Sequence, residues 1–338
     1  MRQLQMKKLL TFPRLLLIVA GLLILVYIGL DKHIYKTTTS SHQGLRSKVF
    51  LRNGSTTEKI QAERMEVLKS YCRKKGTKNT KLPSRRRFIV SERYKLLYCQ
   101  VFKTGSTTTL TMLHNLEHGE RRNTHDMRAL LDDLPFKRLN TYSDDEVRIR
   151  LETYTKLIIV RNPLERLASA WEDKFYYAPS RFGYRKQYHS MLETLSSNTL
   201  KTKIGLSSTL PEGSDNKSYP IVPFPAFIKA VGTNRTDWQD PHWQLISDLC
   251  APCHINYDFI IHTETLAEDY PLFFKNAGIV GREDQLPEVR QRKGDTLFWD
   301  FYKQIPIEDL WRIKEKFRVD YEMFGYDFND DIRRMLGR

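Results

Sequence analysis

The clearest fold signal in the sequence is Leu157-Ile158-Ile159-Val160-Arg161-Asn162-Pro163. Its four branched apolar residues are typical of a strand that is buried on both faces in a parallel sheet. Asparagine often caps a helix and proline favours the first helical position, so a helix is predicted to follow over 164–175. The segment therefore predicts a strand, a short loop and a helix in direct succession.

An earlier segment repeats this order. Residues 95–101 predict a strand, 103–106 a tight turn and 107–116 a helix. The same patterns predict further strands at 88–90 and 259–261, and further helices at 144–153, 224–231 and 307–324. Strands that alternate with helices indicate an α/β domain, in which a parallel β-sheet is flanked by helices.

The net positive charge of the chain comes from its N-terminal quarter. The 338 residues include 55 Lys+Arg and 40 Asp+Glu, which gives a formal net charge of +15. Residues 1–87 carry 20 of the basic and 4 of the acidic side chains, and residues 88–338 carry 35 and 36. Because the predicted domain is nearly neutral, a general nucleic-acid groove is disfavoured.

An apolar run near the N-terminus predicts a membrane anchor. Residues 15–30 contain no charged side chain, and more positive charges precede the run than follow it. This bias predicts a cytosolic tail at 1–14, a single-pass type II signal-anchor at 15–30, an exposed basic stem at 31–87 with a short helix within 58–68, and a lumenal domain at 88–338. A cleaved signal peptide is the alternative.

Two further features agree with a lumenal location. Glycosylation sequons begin at Asn53, Asn216 and Asn234. Of the four cysteines, Cys250 and Cys253 are close enough for a local disulfide, and Cys99 is predicted as a buried strand residue. A zinc site at the Cys250–Cys253 pair is the alternative, but no second pair of ligands is evident in the sequence, and no metal is expected.

A candidate anion-binding loop follows the first predicted parallel strand. It comprises Lys103, Thr104, Gly105, Ser106 and Thr107. Gly105 allows close approach of the backbone, hydroxyl and amide groups offer donors, and the lysine supplies a positive charge, so the loop suits a phosphate or sulfate group. It is not a Walker A loop, because the lysine precedes the glycine. A helix cap rich in serine and threonine is the structural alternative.

The second strand–loop–helix unit contains Arg161 and, eight residues later, Ser169. With Pro163, Arg166, Leu167 and Ala170 these residues form the pattern RxPxxRLxSA. On these motifs the chain resembles the Golgi carbohydrate sulfotransferases, in particular the family of the chondroitin and dermatan 4-O-sulfotransferases. Matching stretches over about 88–328 include 171–175, 242–243, 250–253, 257–260, 264–266 and 324–326.

The resemblance implies a P-loop-like sulfotransferase fold, a Golgi membrane location and a co-substrate, 3′-phosphoadenosine 5′-phosphosulfate (PAPS). By this resemblance the Lys103–Thr107 loop binds the 5′-phosphosulfate, and Arg161 and Ser169 bind the 3′-phosphate. The acceptor would be a glycan hydroxyl, on N-acetylgalactosamine in chondroitin or dermatan or on a terminal hexose. Phe102 replaces the family's usual proline, and Ser106-Thr107-Thr108-Thr109 is closer to galactose 3-O- and uronyl 2-O-sulfotransferases.

Rival functions remain at this stage. A Golgi kinase or glycosyltransferase would use a carboxylate pair to hold a metal, and a catalytically inactive protein would bind sulfated glycans without turnover. For a transferase, Lys103 would stabilise the leaving phosphate oxygen. The acceptor hydroxyl needs a base, for which histidine is suited. His125 ranks first because related carbohydrate sulfotransferases place a histidine base at this point, and His242 ranks second, ahead of His114 and His118. The sequence gives no oligomeric state.

Overall fold

The computed structural model describes residues 54–75, 83–119, 122, 136–176, 222–233, 239–286 and 294–337. The predicted anchor, the sequon asparagines and His125 lie outside these ranges. Residues Thr57–Arg338 form one compact unit, and of the other unit only the start of the first helix is described. Among the helices of the described ranges, none has the length and apolar character needed to cross a membrane.

A four-stranded sheet in the order β1-β2-β3-β4 lies at the centre of this unit. The strands are β1 (Phe88–Ser91), β2 (Leu96–Cys99), β3 (Thr155–Val160) and β4 (Phe259–His262). Strands β2, β3 and β4 are parallel, with Tyr98 beside Leu157 and Leu157 beside Phe259. The predicted all-parallel sheet is wrong at one edge, where β1 pairs with β2 in antiparallel fashion. The four residues between them are too few for a crossover connection, so only a hairpin is possible.

The helices follow the strands in the order expected for an α/β domain. They are α1 (Gly54–Lys75), α2 (Ser106–His118), α3 (Asp144–Thr153), α4 (Pro163–Trp171), α5 (Phe224–Val231), α6 (Ile246–Cys250), α7 (Leu266–Asn276), α8 (Gly294–Tyr302), α9 (Ile307–Phe324) and α10 (Phe328–Met335). A π-helical turn, Glu172–Tyr176, continues α4, so the chain is helical over the whole span predicted at 164–175.

Alternate strand residues face two different cores. Residues such as Tyr98, Leu157 and Ile159 pack against α2 and α7, and residues such as Leu97 and Ile158 pack against α1, α6 and α9. This alternation follows from the period of two in a strand and produces three layers. A third core joins α4, α5, α8, α9 and α10. The result is a mixed sheet flanked by helices. The flanking helices and the parallel strands β2, β3 and β4 agree with the predicted α/β domain.

Helix α1 corrects the predicted stem. It is longer than the predicted short helix and buries Gln61 and Leu68, while the Arg64 guanidinium donates to Asp269 over 2.7 Å. These positions recur at the spacing of one helix face, which packs against the folded unit. The prediction of an exposed stem over 31–87 is therefore wrong for this helix.

The cysteine pairing differs from the predicted local bridge. Cys250 is bonded to Cys99 on β2, and Cys253 is bonded to Cys72 on α1. Cys250 ends α6, and Ala251 takes the left-handed conformation with φ 41°, so the chain turns and presents the two thiols to different elements. The prediction of a Cys250–Cys253 disulfide is wrong because each thiol faces a distant partner instead of the other.

Candidate active site

The loop after β2 turns sharply into α2. Lys103 and Gly105 both lie in the left-handed region, at φ 70° and 80°. Between them Thr104 is fully buried, and its hydroxyl donates to the Val101 carbonyl over 3.0 Å. Gly105 caps α2 without a side-chain hydrogen bond to the first-turn amides. These amides and the positive end of the helix dipole therefore form an anion-binding feature of the kind that the sequence predicts.

Lys103 lies in a cluster of charged side chains beside this loop. Its ammonium is 3.4 Å from a carboxylate oxygen of Asp173, which lies 3.3 Å from the ammonium of Lys174. Burial lowers the pKa of Lys103 to about 8, Asp173 acts in the opposite direction, and the Lys174 and Arg161 charges add to the lowering. Two cations thus share one carboxylate oxygen of Asp173.

Arg161 ends the strand next to the loop and reaches across to it. Its guanidinium donates to the Lys103 carbonyl over 3.1 Å and lies 3.4 Å from the buried carboxylate of Glu165. The Asn162 side chain accepts hydrogen bonds from Leu164 and Glu165 amides, which begins α4 directly after the arginine. The structure therefore brings Lys103 and Arg161 together. Ser169 lies two turns along α4, where its side chain is partly exposed.

His242 lies on another side of the same loop. Its ring stacks on Phe102 with a centroid separation of 4.4 Å, and its Nδ1 is 2.6 Å from a carboxylate oxygen of Asp240. Burial lowers the pKa of His242, the Asp240 hydrogen bond opposes this, and the Lys174 and Lys103 charges lower the pKa further. A neutral imidazole held by a carboxylate has the form of a general base.

Arg166 fixes the position of the His242 segment relative to the loop. It is buried on α4, and its guanidinium donates to the carbonyls of Phe102, Pro241 and Gln244 at 3.0, 3.0 and 2.5 Å. Burial lowers the pKa of Arg166 to about 10, which leaves it charged at neutral pH. One side chain therefore ties the loop and the histidine segment together.

The sequence comparisons agree with this geometry. Residues 86–327 match the profile of the sulfotransferase family. The chain belongs to this family. It is 30% identical to carbohydrate sulfotransferase 10 of Gallus gallus over 80% of this chain and 76% of the relative. It is also 30% identical to carbohydrate sulfotransferase 10 of Homo sapiens over 80% and 77%, and to carbohydrate sulfotransferase 11 of Rattus norvegicus over 70% and 66%. No solved structure matches the chain.

The family therefore is that of the carbohydrate sulfotransferases, and the class of reaction is sulfuryl transfer to a glycan. Of the predicted histidines, His242 lies beside the loop of this sulfotransferase. The rings of His114 and His118 lie near the far end of α2, tilted by 38° with centroids 4.5 Å apart. His125 stays a prediction, since it lies outside the described ranges.

Three residues of this site had no role in the sequence prediction. They are Arg166, Asp173 and Asp240, which hold the loop, Lys103 and His242 respectively. Arg166 had a sequence signal, since it is a charge among the apolar residues of an amphipathic helix. Asp173 had one too, since it lies in the matching stretch 171–175. Asp240 had none, because an aspartate beside a proline is usually solvated.

Proposed function

We propose that this sulfotransferase moves a sulfuryl group from PAPS to a glycan hydroxyl in the Golgi lumen, and that residues 15–30 anchor it in the membrane as a type II protein. The observation that carries the donor proposal is the contact between Arg161 and the Lys103 carbonyl. It brings the anion-binding loop, with its Lys103 ammonium, next to the Arg161 guanidinium at the carboxyl ends of the adjacent parallel strands β2 and β3. Ligands of α/β sheets bind at this edge.

The chemistry of these residues fits the donor nucleotide. The backbone donors at Gly105 to Thr107 and the Lys103 ammonium suit the 5′-phosphosulfate. Arg161 can bind two oxygens of the 3′-phosphate at once, and the Ser169 hydroxyl can add a neutral hydrogen bond. When bound, PAPS supplies an activated sulfuryl group. Gly105 is favoured here by its positive φ of 80°, which side chains other than glycine rarely adopt.

Lys103 is the residue that we expect to lower the barrier. In sulfuryl transfer negative charge grows on the bridging oxygen of the leaving phosphate, and a positioned cation in a partly buried site stabilises such charge. The Lys103 side chain retains 18% of its exposure, and Asp173 retains 16%, so the pair is open on one side. The cation can therefore leave Asp173 for a more highly charged phosphate group.

His242 is the base that the described residues support. In the tautomer in which Nδ1–H donates to Asp240, Nε2 is the basic nitrogen of the ring, and we propose that it accepts the proton of the acceptor hydroxyl. Because burial lowers its pKa, a larger fraction of the imidazole is neutral and able to accept a proton than in an exposed histidine. His125, which the resemblance favours, is the second candidate. Their alanine variants separate the two, since loss of the true base lowers kcat by about 10²–10⁴ without weakening donor binding.

The acceptor is proposed as N-acetylgalactosamine in chondroitin or dermatan, or a terminal hexose. Galactose 3-O- and uronyl 2-O-transfer are the alternatives for the same site. Neither the loop nor the histidine segment encodes the hydroxyl that is sulfated. Linkage analysis of the product distinguishes these acceptors.

The test uses the full-length protein in detergent, sulfur-labelled PAPS, mixed desulfated glycosaminoglycans and a chelator. We expect labelled glycan from the wild type. Lys103→Ala and Arg161→Ala should each lower turnover by at least about 10²-fold, as loss of a transition-state donor does. Lys59→Ala, at an exposed lysine of α1, is the matched control and should retain full activity. Near-normal turnover in either site variant would contradict the assignment.

A further inference from the structure

Two arginines flank the site on the side of β1. Arg87 precedes β1, and its carbonyl accepts from the Gln100 amide over 2.8 Å, which places it beside the end of β2. Its guanidinium lies over the Phe102 ring at 5.2 Å from the centroid. The Phe102 ring also stacks on the His242 ring. Arg87, Phe102 and His242 therefore lie next to one another and form one wall of the site.

The second arginine, Arg138, lies close to the first. It donates to the Arg86 carbonyl over 2.7 Å and to the Gln100 side-chain carbonyl over 3.1 Å, and both of these acceptors are neutral. Arg87 makes no hydrogen bond or ion pair through its guanidinium to any part of the chain that the structure describes. Two half-buried guanidinium groups are thus adjacent, and neither forms an ion pair with a carboxylate of the described ranges.

The pKa shifts agree with a local excess of positive charge. Burial lowers the pKa of Arg87, and the Arg138 charge lowers it further, while Asp240 has a weaker opposite effect. Burial also lowers the pKa of Arg138. Holding two like charges together, partly out of water, is unfavourable unless an anion can bind between them. The arrangement is therefore suited to an anionic ligand.

The position of the arginines separates them from the donor-binding residues. Arg161 follows β3, whereas Arg87 and Arg138 lie on the β1 side of β2. The loop, Phe102 and His242 lie between the two sets. An anion bound at Arg87 would therefore be next to the proposed base and on the opposite side from the donor phosphates. This is the side from which an acceptor would reach His242.

We propose that Arg87 and Arg138 form a subsite for an anionic group of the acceptor glycan, either the carboxylate of a uronic acid or a sulfate ester. The inference rests on the proposed function, because it identifies the wall beside His242 as the acceptor side. Guanidinium groups match both anions through paired N–H donors. The subsite restricts the acceptor to acidic glycans.

Binding of three fluorescent hexasaccharides to the full-length protein with adenosine 3′,5′-bisphosphate present provides the test. The probes are unsulfated chondroitin, its carboxyl-reduced form, and the carboxyl-reduced form carrying a sulfate ester. Arg87→Gln and Arg138→Gln are compared with Arg85→Gln, a nearby exposed arginine that pairs with Asp144. Thermal unfolding verifies that each variant is folded.

We expect wild type and Arg85→Gln to bind at least one acidic probe roughly tenfold to hundredfold more tightly than the neutral probe, as expected for charge-assisted hydrogen bonds. Arg87→Gln and Arg138→Gln should each reduce this preference and leave binding of the bisphosphate unchanged. The acidic probe that binds more tightly shows whether the subsite recognises a carboxylate or a sulfate ester. Equal binding of all probes by wild type, or an unchanged preference in both variants, would overturn the subsite. Because binding is measured without turnover, failure of transfer would count against the proposed function alone.

Discussion

Lys103 carries its charge in surroundings that disfavour it. The residue is mostly buried, the Lys174 and Arg161 charges are nearby, and Asp173 provides the opposing carboxylate. Because the pKa of the Lys103 ammonium is about 8, this side chain is neutral in a large fraction of molecules at alkaline pH. The catalytic role proposed for it requires the protonated form. The pH dependence of transfer should therefore report on this one side chain.

We predict that kcat/KM for PAPS falls as the pH rises through about 8, because the free enzyme then loses the Lys103 proton. Asp173→Asn should move this falling limb to lower pH, because the carboxylate raises the pKa of Lys103 and its removal lets the pKa fall further. Lys103→Arg should remove the limb below about pH 10, because a guanidinium stays charged there. A pH–rate profile for the three proteins is the measurement, and identical limbs in wild type and Lys103→Arg would refute the assignment.

At the scale of elements, α1 is fixed to the unit by a buried ion pair and a disulfide. The Arg64 and Asp269 side chains retain 10% and 1% of their exposure, and Cys72 of α1 is bonded to Cys253. Burial raises the pKa of Asp269, and the Arg64 charge opposes this rise. Asp269 also accepts from Thr265 and from the His262 amide, so the pair joins α1 to the end of β4 and the start of α7.

Arg64→Ala should lower the free energy of unfolding by about 3 kcal/mol, because it leaves the Asp269 charge buried without its cation. Arg73→Ala removes an exposed pair with Glu66 from the same helix, and its effect should stay below about 1 kcal/mol. Adding Asp269→Asn to Arg64→Ala should restore part of the loss, since the amide carries no charge. Urea unfolding at neutral pH measures all four proteins, and equal losses from Arg64→Ala and Arg73→Ala would show that the buried pair does not stabilise α1.

Local signals predicted several elements closely. The Ser143 and Glu146 capping box begins α3 as expected, with both reciprocal hydrogen bonds present. Gly325 ends α9 in the left-handed conformation, and α5 has the predicted bounds. Each of these features depends on residues within one or two turns of each other, so the sequence around it was sufficient.

The features that sequence reasoning missed depend on contacts between distant segments. Cys99 and Cys250 are 151 residues apart, and four cysteines allow three pairings. The anion-binding loop was predicted because its residues are consecutive. The contact of Asp173 with Lys103 was not, because it joins residues 70 positions apart. Long-range packing therefore decides the pairings and the supporting residues, which no local pattern encodes.

At the scale of the whole molecule, the C-terminal helix α10 is joined to the segment at which β3 ends and α4 begins. Asp331 of α10 accepts from the side-chain NH₂ group of Asn162 over 2.8 Å and from the Tyr321 hydroxyl over 2.6 Å. Asn162 caps α4 directly after Arg161, and Arg334 lies 3.6 Å from the Glu165 carboxylate. Helix α10 therefore supports Asn162 and Glu165, which flank the start of α4 beside Arg161.

This junction should make the stability of the protein depend on pH. Burial raises the pKa of Asp331 to about 7, although both of its hydrogen bonds act in the opposite direction. The folded state therefore holds this proton more tightly than the unfolded state, whose aspartate has an ordinary pKa near 3.8. Between about pH 4 and pH 7, the free energy of unfolding should fall as pH rises, by at most about 1.4 kcal/mol per pH unit from this group.

Asp331→Asn keeps the shape of the side chain and cannot ionise, so it should flatten the pH dependence of the free energy of unfolding over that window. Urea unfolding of both proteins at pH 5 and pH 7.5 is the measurement. The variant should gain stability relative to the wild type at the higher pH, because only the wild type then carries a buried ionised carboxylate at this position. If the difference between the two proteins were the same at both pH values, Asp331 would not be the titrating group at this junction.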